Sequence, residues 1–138
     1  MATVSGVFVS PGRKSGISTP LERAQAIAGH GLDGCAHAGR PDRQVLFASK
    51  EHLVELDLAP GAIRENITVA GADVQAWSVG QRVRAGSALF EVTMVCEPCE
   101  RMEMLRDGLR AQLVGKRGML ARVLEDGEVA VGDPVELA

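Results

Sequence analysis

What this 138-residue chain lacks narrows its function before any motif is considered. No run approaches the roughly 20 apolar residues of a membrane-spanning helix, so no membrane partner is expected. Basic residues are not in excess: 15 Lys and Arg against 18 Asp and Glu leave a formal charge of −3. Nothing general therefore points to nucleic acid or to an anionic lipid surface. The first residues, Met1-Ala2-Thr3-Val4-Ser5-Gly6, show no basic region ahead of an apolar one, and a secretory leader is not expected. Cysteine is scarce and odd in number, at three, which excludes a disulfide scaffold. A reducing cytoplasm with free thiols is the natural expectation. There is no GxGxxG, no P-loop, no internal repeat, no low-complexity segment and no linker.

What is present is ordinary in bulk, with 46% apolar and 24% charged residues, and suits a single domain over 1–138 with a real core. Sixteen glycines are dispersed between short apolar runs, which predicts many turns and short strands. Strands are expected at Val4–Ser10, Arg43–Ala48, Ile63–Val69, around Arg82–Arg84, at Ser87–Val95 and at Pro134–Leu137. Gly118–Leu124, Asp126-Gly127 and Glu128–Val131 read as a hairpin with Asp-Gly in its turn. Thr19-Pro20-Leu21-Glu22 carries a capping-box signature, predicting a short helix to Ala28 with Leu21, Ala24, Ile27 and Ala28 on one face. Further helices are expected from Lys50 to Leu58, capped by Ser49, and from Pro98 to Arg106, with another turn or two at Leu109–Val114. The elements do not alternate as βαβα, so a doubly wound parallel sheet is not expected. A mainly β fold, an antiparallel barrel with a few short peripheral helices, fits this pattern.

The chemistry concentrates at Cys96-Glu97-Pro98-Cys99, where a β-branched strand runs into a helix start. With Pro98 in the first helical turn, Cys99 would sit among unpaired N–H groups, which favour thiolate. Glu97, Glu100 and Glu103 oppose this, so a basic partner is expected from Arg64, Arg43 or His37. A thiolate there could attack an electrophile, carry a persulfide or bind a soft metal. The same spacing also occurs in dithiol oxidoreductases, whose βαβ setting is missing here, and in half of a zinc site, for which Cys35 and His37 would have to supply the rest. Both cysteines could equally be small buried residues.

Two other segments stand out. Gly31-Leu32-Asp33-Gly34-Cys35-Ala36-His37-Ala38-Gly39 places a thiol and an imidazole in a glycine-rich loop. Its plainer reading is a turn-rich connector. Arg64-Glu65-Asn66 offers a fork donor, an acceptor and an amide, as anion or cofactor recognition uses. Strict alternation would put Arg64 and Asn66 on one face and Glu65 on the other.

Taken in order, these segments, with Arg43-Gln44-Val45, Val79-Gly80-Gln81-Arg82-Val83, Pro98-Cys99 and Gly132-Asp133, resemble the MOSC domain, named for the C-terminal domain of molybdenum cofactor sulfurases. The likeness runs roughly from Val4 to Leu137, and Arg-Glu-Asn-Ile followed by Pro-Cys is its specific part. It implies a β-barrel-like fold and a small stand-alone member of the family. It also implies that Cys99 receives or presents sulfur, or binds molybdenum where the molybdenum cofactor (molybdopterin) is held. Gly34, His37, Glu65 and Asn66 would line the pocket, and Arg64 and Arg43 would meet the phosphate of a pterin-like ligand. Cys35 stands where the family usually has Asp. No pyridoxal phosphate site is expected in this chain, so a separate cysteine desulfurase would have to donate sulfur.

Three functions follow as expectations. The first is sulfur transfer through Cys99, with Cys96 and Cys35 as accessory thiols and His37 as acid, base or donor. The second is a molybdenum-cofactor module, or a reductase component acting on N-hydroxylated compounds. The third is a dithiol redox or binding protein without catalysis.

Overall fold

The computed structural model describes residues 1–12 and 18–138. In chain order the elements are β1 (Thr3–Val9), β2 (Thr19–Leu21), β3 (Arg23–Ile27), β4 (Gly31–Leu32), β5 (Val45–Ser49), α1 (Lys50–Glu55), β6 (Ile67–Ala70), a 3-10 turn (Val74–Ala76), β7 (Arg82–Ala85), β8 (Ala88–Val95), α2 (Glu100–Leu105), α3 (Leu109–Gln112), β9 (Met119–Glu125), β10 (Gly127–Ala130) and β11 (Val135–Leu137). The large sheet runs β11-β7-β8-β9-β5-β6-β1-β2, and β10-β3-β4 form a smaller one. β5 and β6 pair in parallel, whereas the other ladders are antiparallel. Among the described residues no helix is long and apolar enough to cross a membrane.

Alternation along β5 sets the two sides of the large sheet. Val45 and Phe47 enter the main core, which the small sheet closes with Ala24, Ala26, Leu32 and Val129. Phe47 meets Trp77 and Phe90 edge-on, with centroids 5.5 and 5.1 Å apart. Ala48 turns the other way, into a second cluster with Leu53, Ile63, Met102, Leu109 and Leu113 from the helices and the turn before β6. Leu46 also leaves the main core and packs with Cys96 and Leu120. Leu46 and Leu120 of that third, small cluster floor the cleft described below, and Cys96 stands in its wall.

The mainly β character with short helices stands, but the barrel does not. The strand order is open, with β11 at one end and β2 at the other. Both ends are three-residue strands marked by proline: Pro20 lies within β2 and Pro134 immediately precedes β11. Proline cannot donate to a ladder and short edges recruit no further strand, so the sheet stops there. One isolated bridge, Thr3 to Pro134, ties β1 to the approach to β11 without making a ladder.

Three local expectations also change. Residues 19–27 are strands, not a helix: Ala24 and Ala26 are buried while Arg23, Gln25 and Ile27 are exposed, a period of two set by pairing with β10. The capping signature at Thr19 is overridden by this tertiary pairing. β9 and β10 do not form a hairpin, since β9 pairs with β5 and β8, and β10 with β3. Asp126 accepts from the Ala28 N–H at 2.6 Å, and a Cβ on Gly127 would collide with the Ser87–Ala88 backbone. Asp-Gly here is the corner where the chain changes sheets. Finally, the strand expected from Ile63 begins only at Ile67, because Arg64 takes a positive φ of 64°.

Gly118 opens β9 with φ +110°, and a Cβ there would fall on the Phe47 carbonyl oxygen. Gly118→Ala is therefore expected to cost more than about 1 kcal/mol, read as a lowered urea midpoint. An unchanged midpoint would contradict this account of the β5–β9 approach.

Candidate functional site

The site is a cleft where four segments meet on the Leu46 side of β5. His37, Arg40 and Arg43 come from the loop before β5; Arg64 from the turn before β6; Cys96 from the end of β8; and Arg117 from the residue before Gly118. Leu46 and Leu120 complete the lining, and the cavity measures about 80 Å³. Among the described residues, no carboxylate lines it. Four guanidiniums thus converge in a protein whose formal charge is −3.

Each wall has a local cause. The turn at Arg64 is built by Gly61, whose N–H donates to Glu65 Oε2 at 2.8 Å, and by the Arg64 N–H donating to the Gly61 carbonyl. The positive φ at Arg64 swings its guanidinium toward β1, where Nη2 donates to Ser10 Oγ at 2.6 Å and to the Gly12 carbonyl at 3.1 Å. Thr93 Oγ1 donates to the Asp42 carbonyl at 2.5 Å and so ties the loop carrying Arg43 to β8. The Cys96 N–H donates to the Gly118 carbonyl at 3.1 Å, which holds the thiol beside Arg117.

Arg117 is the least expected member. It is only 6% exposed, and among the described residues its Nε and Nη1 have no hydrogen-bond partner. Buried guanidinium donors are normally satisfied, so such a group needs a reason. Glu65 lies close enough to feel its charge, and Glu65 Oε1 is likewise buried without a partner. Burial pushes the Glu65 carboxyl above its ordinary value, against hydrogen bonds from Gly61, its own N–H and Thr68 and the charge of Arg117.

The three thiols differ sharply. Cys96 is buried on the cleft wall; burial raises its pKa, the charges of Arg117 and Arg43 lower it, and Cys99 and Glu97 raise it. Cys35 is buried just behind the cleft, and its Sγ accepts from the Ser10 N–H at 3.5 Å and from Asn66 Nδ2 at 3.3 Å. Burial alone would raise it, but the side chain, backbone N–H and charge of His37 together with the Ser10 N–H outweigh burial and bring it from 9.0 to about 7. Cys99 is exposed, at the N-cap of α2 in an extended conformation with no side-chain capping bond. The helix starts at Glu100, so Cys99 precedes it rather than lying inside its first turn.

Of the residues singled out in the sequence, the structure brings His37, Arg43, Arg64 and Cys96 together in the cleft. Cys35, Glu65 and Asn66 lie buried immediately around it, while Gly34 is an exposed turn glycine with φ +81°. Cys99 does not line it. Arg40 and Arg117 were not legible as site residues; a basic pair, Lys116-Arg117, set against a glycine at a strand start was the available signal. Among the described residues no three His, Cys, Asp or Glu side chains group as a metal site.

Comparison with known proteins gives a consistent picture. The family model of the MOSC domain matches residues 35–136. YflK of Bacillus subtilis is 30% identical over 122 residues, which cover 79% of this chain and 54% of YflK; the chain thus spans about half of that relative. The crystal structure of the YUAD protein from Bacillus subtilis matches with a TM-score of 0.82 at 19% identity, covering 99% of this chain and 96% of that one. YiiM from Geobacillus stearothermophilus matches at 0.80 and 20% identity, covering 100% and 75%, and YiiM from Escherichia coli at 0.74 and 23%, covering 100% and 70%. At these identities the structural likeness concerns the fold.

Two predictions follow. A titration of thiolate absorbance is expected to show a step near pH 7 that Cys35→Ser removes, and persistence of the step in the variant would refute the assignment. Because the folded value lies below the ordinary one, the thiolate's contribution to stability is complete above about pH 9 and disappears as pH falls through about 7. Arg117→Met removes buried unsatisfied donors but also the charge that favours the Glu65 carboxylate, so the ligand-free protein is expected to stay folded with a net change of no more than about 1–3 kcal/mol. Sulfate is expected to raise the melting temperature of the parent protein and not that of the variant. A variant protected by sulfate as the parent is would contradict an anion role for Arg117.

Proposed function

The chain belongs to the MOSC domain family, and from that premise we propose that it handles sulfur through thiols placed beside a site for a small anionic ligand. The observation that carries this reading is the convergence of Arg40, Arg43, Arg64 and Arg117 on a cleft with Cys96 in its wall and, among the described residues, no carboxylate lining it. Guanidinium forks match the oxygens of phosphate and sulfonate groups, and the attraction of the buried Arg64 and Arg117 is weakly screened. Cys99, exposed three residues beyond Cys96, is the thiol open to a protein donor of sulfur, and a persulfide there lies at the start of α2.

A pterin-type molybdenum cofactor fits this site in part. Arg43, Arg64 and Arg117 suit its phosphate, and Cys99 or Cys96 offers the soft sulfur ligand that molybdenum accepts. Drug-sized ligands occupy roughly 300–1,000 Å³, whereas the cleft measures about 80 Å³. Only the anionic end of such a cofactor is therefore enclosed, and the rest would need a second surface. When bound, the group supplies redox chemistry at its metal; the residues of this chain hold the anion and present the thiol. Sulfur handling with a small anion is accordingly placed ahead of the cofactor module and of a dithiol redox role.

Incubation with a cysteine desulfurase and cysteine is expected to add one sulfur to the protein by intact mass, lost on reduction and absent in Cys99→Ser. No mass gain in the parent protein, where a control acceptor is loaded, would overturn the reading.

A further inference from the structure

We propose that the cleft takes thiosulfate, or another small anion with a sulfonate group bonded to a transferable sulfur, and that Cys96 accepts that sulfur. This rests on the reading of the site as a sulfur-handling anion cleft, and it names the donor.

Size, charge and access each point the same way. An 80 Å³ cavity admits a tetrahedral anion a few atoms across. Among the described residues four guanidiniums line it and no carboxylate does, which favours a doubly charged anion. Arg117, only 6% exposed, has two donor nitrogens, Nε and Nη1, unpartnered among the described residues, and anionic oxygens would satisfy them. Cys96 is only 4% exposed, so a protein donor cannot reach its sulfur, whereas a small molecule entering the cleft can. A phosphate or sulfate would satisfy the guanidiniums equally well but leave the thiol idle. An anion that carries its own reactive sulfur uses both halves of the lining.

The step balances without a further reagent. The Cys96 thiol gives its proton to solvent water. Its sulfur then attacks the outer sulfur of thiosulfate, forming a new S–S bond as the existing S–S bond breaks. The electron pair of the breaking bond leaves with sulfite, which the guanidiniums stabilise as its charge develops. Cys96 is left as a persulfide. No external oxidant or reductant is consumed.

The test is to incubate the full chain with sodium thiosulfate, measure released sulfite and locate the added sulfur by peptide mass spectrometry. One sulfur on Cys96 per sulfite released is expected, slowed by excess sulfate. Cys96→Ser should lose sulfite release, and Arg117→Met should load roughly tenfold or more slowly at low thiosulfate. A cooperative melting transition of Arg117→Met, recorded alongside, makes its slow loading a report on the anion site and not on unfolding. Sulfur found only on Cys99 or Cys35, no sulfite release, or a wild-type rate in Arg117→Met would each overturn the proposal. A parallel arm with desulfurase separates the two readings. Loading by desulfurase but not by thiosulfate defeats this inference alone, and loading by neither defeats the sulfur-handling reading as well.

Discussion

Asn66 is the joint on which the site hangs. Its backbone N–H donates to the Leu46 carbonyl at 2.8 Å, and its own carbonyl accepts from the Phe8 N–H at 2.8 Å. Its side chain repeats the pattern one step over: Oδ1 accepts from the Leu46 N–H at 2.9 Å, and Nδ2 donates to the Phe8 carbonyl at 3.0 Å. The amide thus acts as an extra peptide group inserted between β5 and β1, where β6 begins. Nδ2 also reaches Cys35 Sγ. Arg64, Glu65 and Cys35 are therefore positioned by one buried, satisfied network, and cutting it would leave several buried backbone groups without partners.

Next to that satisfied joint lies an unsatisfied pair. Arg117 and Glu65 each keep buried polar atoms without partners among the described residues, and Arg64 holds a left-handed backbone that ordinary side chains avoid. Such features cost stability, and folded proteins retain them where function needs them. The open sheet makes this arrangement feasible. β5 sends Val45 and Phe47 into the main core and leaves Leu46 free to floor a polar cleft on its other side. Positive charge is concentrated locally and against the sign of the whole molecule, an arrangement that would draw an anion to one place and not to the surface at large.

Much of this was readable in the residues, and the failures have physical causes. Ser49 turns its hydroxyl to Ala72 and Val74 and makes no capping bond, but β5, β8 and a helix beginning at Lys50 follow from local patterning. The strand at Arg23–Ile27 does not, because its short apolar positions suit either period and pairing with β10 decides between them. Asp126-Gly127 carries a hairpin signal, yet steric access beside Ala88 sends the chain to a second sheet. A barrel was inferred from many short strands, but closure depends on edge pairing that Pro20 and Pro134 disfavour. Arg117 enters the site only because β9 lies between β5 and β8, which brings it to residues far away in sequence. The thiols could be ranked by motif alone, whereas their separation into a cleft-wall, a shielded and an exposed cysteine is a property of the fold.

The central claim is that the four guanidiniums form an anion site beside Cys96. Crystals soaked in selenate, an inert tetrahedral dianion with a strong anomalous signal, test it directly. The account predicts an anomalous peak inside the cleft, within hydrogen-bonding distance of Arg117 and at least one of Arg43 and Arg64. Peaks confined to the outer surface, with the cleft holding only solvent, would contradict it.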